Sequence, residues 1–160
     1  MKPLTWRRMH ALRVFGRRYR RCSRLLGMLF AALTVQPWLA PGALAQSTVA
    51  AGMSETGVTI GAGATENVCG TTTSDSVTAG GVQNVLSGGV ASSTSVGAAG
   101  EQAVLVGGIA QGTSVGVGGT LVVSSGGTAR GATVSGGSDQ VSAGGAVSGT
   151  TLLGGASELI

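Results

Sequence analysis

The sequence has few aromatic residues, and those it has are confined to its N-terminal quarter. Five of the 160 residues are Phe, Trp or Tyr, and all five, together with the single histidine, precede residue 39. The chain from residue 46 onward therefore has no histidine, which excludes a Ser/His/Asp triad and a Cys/His pair there. Without aromatic side chains, a core must be built from aliphatic and small residues, and a thin coil suits such a core. These absences favour a thin, repetitive structure over an enzyme.

Positive charge is also missing from most of the chain. Nine of the ten Lys and Arg residues lie within the first 24 positions, and only Arg130 lies beyond them. All six acidic residues lie after residue 46, so this part has a formal charge of −5, although the whole chain has +4. Nucleic-acid binding requires a basic surface. The charge distribution therefore predicts no nucleic-acid partner.

The usual ligand sets for metals and cofactors are lacking as well. Cys69 is the single cysteine after residue 46, so zinc has no ligand set, and we interpret Cys69 as a small buried or unpaired residue. The Gly-rich stretches contain neither the G-K-[ST] of a phosphate loop nor the regular Asp of calcium-binding β-rolls. We interpret the acidic residues as solvated, although Asp139 and Glu158, 19 positions apart, could stack on adjacent turns. The sequence thus predicts no catalytic residue, no cofactor, no metal and no small-molecule substrate.

The N-terminal segment has the organisation of an export signal. A basic region at positions 1–24 precedes the apolar stretch from Leu25 to Val35, which has the length of a signal-peptide core. The Ala43-Leu44-Ala45 box then matches the small residues that signal peptidase requires, so we place the cut between Ala45 and Gln46. Export through the Sec translocon follows from this assignment. Two alternatives remain open: an uncleaved anchor helix, and twin-arginine export at Arg17-Arg18, where the full motif is missing.

The chain from residue 46 onward contains most of the 30 glycines, and they recur at a fixed period. One series of pairs repeats about every 18–19 residues, as in a solenoid, and a second series follows the first at a constant offset. Paired glycines supply the positive φ values that sharp corners need. We therefore expect corners at Gly80, Gly81, Gly88, Gly89, Gly107, Gly108, Gly118, Gly119, Gly126, Gly127, Gly136, Gly137, Gly144, Gly145, Gly154 and Gly155.

Aliphatic residues keep the same period as the glycines. They form two series, which we expect to line the core as ladders: Val85, Val104, Val123, Val141 and Leu159 in one, and Val77, Val96, Val115, Val134 and Leu152 in the other. Short β-prone runs separate the glycine pairs. The pattern predicts an all-β fold, a right-handed parallel β-helix or solenoid, with about 18–19 residues and two short strands per turn.

This periodicity divides the chain into three parts. Residues 1–45 are the predicted signal peptide, residues 46–76 a degenerate leading repeat that caps the solenoid, and residues 77–160 the regular repeats. The chain stops in mid-repeat at Leu159-Ile160, so we expect the solenoid to be truncated there. The alternative is a low-complexity secreted fragment that acts as a spacer or disordered linker.

Hydroxyl side chains share the period. Thr94, Thr113 and Thr150 occupy equivalent positions, and the residues that follow them are Ser95, Ser114 and Thr151. We interpret these threonines either as β-prone surface residues or as a polar ladder that carries sugars. On the second interpretation, Thr94, Thr113 and Thr150 are candidate glycan acceptors.

The stretch Gly80-Gly81-Val82-Gln83-Asn84-Val85-Leu86-Ser87-Gly88-Gly89-Val90-Ala91 resembles the repeat unit of AIDA-type autotransporter adhesins, GGxQxVxxGGxAxxTxV. The resemblance is close over residues 77–160 and loose over 58–76. It implies a β-helical passenger exported by the type V route from a Gram-negative bacterium, through the periplasm to the outer-membrane surface. Members of this family mediate adhesion, self-association and biofilm formation, and some are glycosylated on Ser and Thr of these repeats. We therefore expect a host or neighbouring-cell surface, or a second copy of the chain, as partner.

Overall fold

The computed structural model describes residues 45–160, and it shows a parallel β-solenoid of about six turns with no helix in this part of the chain. The strands are short, two to four residues each, and bends or tight turns separate them. In chain order they are β1 (Gln46–Val49), β2 (Ser54–Thr56), β3 (Thr59–Ile60), β4 (Thr65–Val68), β5 (Thr71–Thr73), β6 (Ser76–Val77), β7 (Val82–Val85), β8 (Val90–Ser92), β9 (Ser95–Val96), β10 (Glu101–Val104), β11 (Ile109–Gln111), β12 (Ser114–Val115), β13 (Thr120–Val123), β14 (Thr128–Arg130), β15 (Thr133–Ser135), β16 (Ser138–Val141), β17 (Ala146–Ser148), β18 (Thr151–Leu153) and β19 (Ser157–Leu159).

Each turn of the coil contributes one strand to each of three parallel sheets. The first sheet has the order β1-β4-β7-β10-β13-β16-β19, the second runs from β2 to β17 and the third from β3 to β18, each in steps of three strands. The solenoid prediction and its repeat of about 19 residues are confirmed. The expectation of two strands per turn is wrong, because each turn contains a third strand. In the regular turns this strand is only two or three residues long, as in Ser95–Val96, too short to show an alternating pattern.

The two glycines of a corner pair have different tasks. The first adopts a left-handed conformation, as at Gly107, where φ is 74°, which L-residues with a Cβ rarely adopt. The second packs against the preceding turn of the coil: a Cβ at Gly108 would lie 2.3 Å from the carbonyl oxygen of Val85. A side chain is therefore excluded at the second position by the close approach of two backbones. One corner has Ala99 in the left-handed position, with φ 55°.

The core consists of aliphatic columns that run along the solenoid axis. Val85, Val104 and Val123 are fully buried, and the strand register places them directly above one another in the first sheet. Val141 continues this column. A second column in the third sheet contains Val77, Val96, Val115 and Val134, all fully buried. Since neighbouring strands lie roughly 4.8 Å apart, each valine contacts its equivalents above and below.

Of the two leucines assigned to the ladders, Leu159 requires correction. Leu152 pairs with Val134 in the third sheet, as its place in the series requires, and is 44% exposed. Leu159 pairs with Gln140 rather than Val141 and is 69% exposed, so it does not belong to the valine column. The cause is a one-residue shift at the preceding corner. There Ala156, and not Gly155, donates the corner hydrogen bond to the carbonyl of Leu153.

The leading segment belongs to the same coil as the regular repeats. Its strands β1 to β6 form two turns that pair in register with those that follow. Cys69 in this segment is buried, but it is not a free thiol, so its interpretation as an unpaired residue is wrong. No helix within residues 45–160 is long and apolar enough to cross a membrane.

Candidate functional site

The interior contains a column of polar side chains beside the valines. It is formed by the second residue of each strand in the first sheet, two positions before the valine, and we call it the polar column. Because side chains alternate between the two faces of a strand, residues two apart point to the same side, here the interior. Its interior members are Glu66, Gln83, Gln102, Leu121 and Asp139. The same register position is taken by Ser47, which is exposed, and by Glu158, which is half-buried and precedes Ile160 instead of a valine.

A second column faces the polar column across the interior. It consists of the residue that immediately precedes the third strand of each turn, and we call it the facing column. Its members in the last five complete turns are Asp75, Thr94, Thr113, Ala132 and Thr150. The two columns match turn by turn: Gln83 and Gln102 lie opposite Thr94 and Thr113, whereas Leu121 is in the same turn as Ala132.

Hydrogen bonds join these glutamines and threonines into one buried network. The amide nitrogen of Gln102 donates to Oε1 of Gln83 over 2.8 Å. The hydroxyl of Thr113 donates to Oε1 of Gln102 over 2.7 Å, and that of Thr94 donates to Oε1 of Gln83 over 3.3 Å. All four side chains are at most 1% exposed. The network therefore satisfies polar groups that would otherwise be costly to bury.

At the end of the network nearer the N-terminus, Gln83 binds two carboxylates. The amide nitrogen of Gln83 donates to Oε2 of Glu66 over 2.7 Å and to Oδ2 of Asp75 over 2.9 Å. The backbone N–H of Val58 donates to the other oxygen of Asp75 over 3.0 Å, whereas Oε1 of Glu66 has no partner among the described residues. Burial raises the pKa of Glu66 above its ordinary value, although the Gln83 hydrogen bond opposes this shift.

The polar column contains a further carboxylate nearer the C-terminus, which no described hydrogen-bond donor reaches. Asp139 is fully buried, and neither of its oxygens has a hydrogen-bond partner among the described residues. Burial and the nearby Glu158 charge raise its pKa to about 6. The hydroxyl of Thr150 is also buried and unpartnered within the described part of the chain. The interpretation of the acids as solvated surface groups is therefore wrong for Glu66, Asp75 and Asp139.

The burial of Thr94 and Thr113 also corrects the glycan prediction. Each is 1% exposed and uses its hydroxyl in the interior network, so neither can accept a sugar in the folded protein. Thr150 belongs to the same column, and its hydroxyl oxygen is buried. The sequence period located the equivalent positions, but it did not show which way the side chains point.

The next residue in each turn points outward instead. In the third sheet these residues form a continuous ladder of hydroxyl side chains, paired in register and exposed or half-buried, which we call the hydroxyl ladder: Thr59, Ser76, Ser95, Ser114, Thr133 and Thr151. At roughly 4.8 Å per turn, it presents a regular row of hydroxyls to solvent. This is the most regular polar surface feature of the solenoid.

The remaining site predictions fall partly outside the structure. Ala43 of the predicted cleavage box precedes the described residues, as does the rest of the predicted signal up to residue 44. Ala45 and Gln46 are described, and β1 begins at Gln46. No cluster of three or more Asp, Glu, His or Cys residues that could hold a metal ion occurs between residues 45 and 160.

The fold and sequence are similar to those of a solved adhesin fragment. The neighbour is a crystal structure of a fragment of TibA, an AIDA-type autotransporter adhesin, hyper-glycosylated in a reaction catalysed by TibC. It is 36% identical to this chain, with a TM-score of 0.63, and the match covers 66% of this chain and 40% of the TibA chain. No family model and no curated protein matches the sequence. The parallel β-solenoid thus resembles an autotransporter passenger of the AIDA type.

Proposed function

We propose that the chain is a non-enzymatic passenger module of a surface-exported adhesin. The observation that carries this proposal is the 36% identity to the TibA fragment, together with a solenoid of in-register turns. The predicted signal segment supports export from a Gram-negative cell through the periplasm. The partner is a host cell, a neighbouring bacterium or another copy of the chain.

The outer surface supports binding by repetition rather than by a deep pocket. Six equivalent hydroxyl residues lie on one face, one per turn and in register. Identical groups at a fixed spacing can engage a repetitive partner at several points, so weak contacts add up to a high avidity. A cell surface coated with repeated sugars or proteins has this character.

The hydroxyl ladder is also the proposed location of attached sugars. The TibA fragment is hyper-glycosylated in a reaction catalysed by TibC, and a transferase that acts on a folded protein can reach only exposed hydroxyls. Ser95 and Ser114 meet this requirement, because both are exposed on the outer face of the third sheet. Their neighbours Thr94 and Thr113 do not, since they are buried.

Co-expression with TibC tests the placement of the sugars. We expect mass spectrometry to find modified Ser95 and Ser114 and unmodified Thr94 and Thr113. The double variant Ser95→Ala/Ser114→Ala should lose the corresponding glycopeptides while keeping its β-sheet circular dichroism. Sugars on Thr94 or Thr113 of folded protein would contradict the placement, and so would a chain that TibC leaves unmodified.

Binding by coated beads tests the adhesin proposal itself. Beads that display the full chain should attach to epithelial cells or to one another, and beads that display its Val123→Asp variant should not. The variant has almost the same composition but carries a carboxylate in the valine core, so it controls for nonspecific stickiness. Equal attachment of the two proteins would refute a role for the solenoid. Absence of attachment by folded, glycosylated protein would favour the alternative function of a rigid spacer.

A further inference from the structure

The turn formed by β4, β5 and β6 contains two buried acids that contact the same amide group. The side-chain nitrogen of Gln83, in the next turn, lies 2.7 Å from Oε2 of Glu66 and 2.9 Å from Oδ2 of Asp75. Glu66 is fully buried and Asp75 is 1% exposed. Because both carboxyl groups contact one nitrogen atom, they lie close to each other. Two like charges at such short range, out of contact with water, disfavour the ionised form of both acids.

The orientation of the Gln83 amide is fixed from its other side. Its oxygen accepts hydrogen bonds from the amide of Gln102 over 2.8 Å and from the hydroxyl of Thr94 over 3.3 Å. The nitrogen must therefore face the acids, and it has two hydrogens to donate. A third and longer contact, of 3.4 Å, joins this nitrogen to the hydroxyl oxygen of Thr72.

The donors around the acids serve three of the four carboxyl oxygens. Gln83 donates to one oxygen of each acid, and the backbone N–H of Val58 donates to Oδ1 of Asp75 over 3.0 Å. Oε1 of Glu66 is buried without a hydrogen-bond partner among the described residues. An ionised oxygen in this place would be costly, since no donor compensates for the loss of water. A protonated oxygen would instead be a donor itself.

The surrounding elements supply no positive charge to the acids. Glu55 in β2 points into the same interior, because its register partner in β5 is buried. The strands β1, β3, β5, β6, β7 and β8 contain no ionisable side chain, and Cys69 is not a free thiol. Arg130, the one basic residue after position 45, is exposed in β14. Within residues 45–160, the titratable groups that face Glu66 are therefore Asp75 and Glu55.

We propose that Glu66 keeps its proton in the folded protein and donates it to Asp75, so that the two acids form a pair with a single negative charge. We place the proton on Oε1, because Oε2 already accepts from Gln83. Burial is the largest cause that raises the pKa of Glu66. The charges of Asp75 and Glu55 and a hydrogen bond with Asp75 raise this pKa further, whereas the Gln83 hydrogen bond lowers it.

The shared proton makes the stability of this turn depend on pH. The pKa of Glu66 is raised above the value of 4.5 that applies to an unperturbed glutamate. The stabilisation is therefore fully present below pH 4.5 and is lost as the pH rises through the higher pKa of the folded state. On deprotonation the proton passes to solvent, and two buried like charges remain beside one amide. The turn is consequently held most firmly to β7 in acidic surroundings.

An NMR titration of the full chain, labelled with ¹³C at the glutamate carboxyl carbon, tests where the proton lies. The signal that is absent from Glu66→Gln identifies Glu66, and its midpoint should lie above pH 4.5. In Asp75→Asn this midpoint should fall by about 1 pH unit or more, because asparagine has no charge and its N–H can donate to the Glu66 carboxylate. A midpoint that Asp75→Asn leaves unchanged would mean that burial alone holds the proton, and it would overturn the proposal. A wild-type midpoint at or below 4.5 would overturn it as well.

A double variant that copies the following turn tests the effect on stability. Glu66→Gln/Asp75→Thr recreates the native Gln83 and Thr94 pair, in which the hydroxyl donates to the glutamine oxygen. Urea unfolding followed by circular dichroism compares it with the wild type from pH 4.5 to about pH 9. Over this range the folding equilibrium constant of the wild type should fall at least about 10-fold relative to the double variant, which corresponds to one pKa unit.

Two controls separate this pair from the other acids. Asp139 is present in both proteins, so its contribution cancels in the comparison. Glu101→Gln changes a glutamate on the outward face of the same sheet, and it should keep the pH profile of the wild type. Parallel pH profiles for the wild type and the folded double variant would refute the shared proton.

Discussion

Replacing Gln102 with leucine tests whether the interior network holds neighbouring turns together. The change removes two buried hydrogen bonds, one of 2.8 Å to Gln83 and one of 2.7 Å from Thr113. It leaves the Thr113 hydroxyl without its acceptor, while Oε1 of Gln83 keeps the longer bond from Thr94. An orphaned buried group costs about 1–3 kcal/mol. We expect Gln102→Leu to lower the free energy of unfolding by about 2 kcal/mol, since the added apolar surface offsets part of the loss.

The double change Gln102→Leu/Thr113→Ala should be less damaging than the sum of its parts. It copies the next turn of the native solenoid, where Leu121 and Ala132 occupy the two equivalent positions and neither side chain is polar. Removal of the orphaned hydroxyl should restore stability, so that the interaction energy in the double-mutant cycle is about 1–2 kcal/mol. Urea unfolding of the four proteins, followed by circular dichroism, measures this quantity.

An additive cycle would refute the reasoning. If the double variant loses the sum of the two single losses to within about 0.3–0.5 kcal/mol, the two side chains act independently. Ser114→Ala is the matched control, because it removes a hydroxyl next to Thr113 that points to solvent. Its effect should stay within about 0.5 kcal/mol.

Three further measurements test the core, the corners and the buried acid. Val123→Asp should unfold the central turns, at a cost of about 4 kcal/mol or more, and a protease-resistant fragment of wild-type size would contradict the core assignment. Gly108→Ala should cost several times more than Gly112→Ala, because a Cβ at Gly108 meets a carbonyl oxygen at 2.3 Å, whereas at Gly112, with φ 64°, it meets nothing; thermal melts compare the two. The pKa of Asp139 is raised from 3.8 to about 6, so the folded state keeps a proton that the unfolded chain loses. This contribution to stability is fully present below pH 3.8 and is lost as the pH rises through about 6, by about 3 kcal/mol in total; urea titrations from below pH 3.8 to neutral pH that show no change would refute the shift.

The valine columns were predictable from the sequence because their spacing reflects the geometry of the coil. A repeat of about 19 residues brings Val85, Val104 and Val123 to the same place in successive turns. In a parallel sheet, identical aliphatic side chains at one register position stack and bury apolar surface against one another. The third strand of each turn was not predictable from local pattern. A pair such as Ser95–Val96 is too short for alternation to be visible.

The polar column was missed for a different physical reason. Gln83 and Gln102 lie two residues before a buried valine, so strand alternation alone places them in the interior. Polarity suggested the opposite, since amides and carboxylates are usually solvated. The signal that resolves the conflict is the joint change of two positions: where Leu121 replaces glutamine, Ala132 replaces threonine. The shift at Gly155 was hidden because Ala156 takes the place of the second glycine.

The turn that contains Leu121 and Ala132 lies between two parts of the interior that contain buried carboxylates. Below it, Gln102 and Thr113 connect through hydrogen bonds to the carboxylates near β4; above it, Asp139 begins a second acidic region. Because neither Leu121 nor Ala132 has a polar side chain, no side-chain hydrogen bond within residues 45–160 joins the Gln102 and Thr113 network to Asp139. The buried carboxylates of the described chain therefore lie on the two sides of an interior stretch that contains no ionisable side chain.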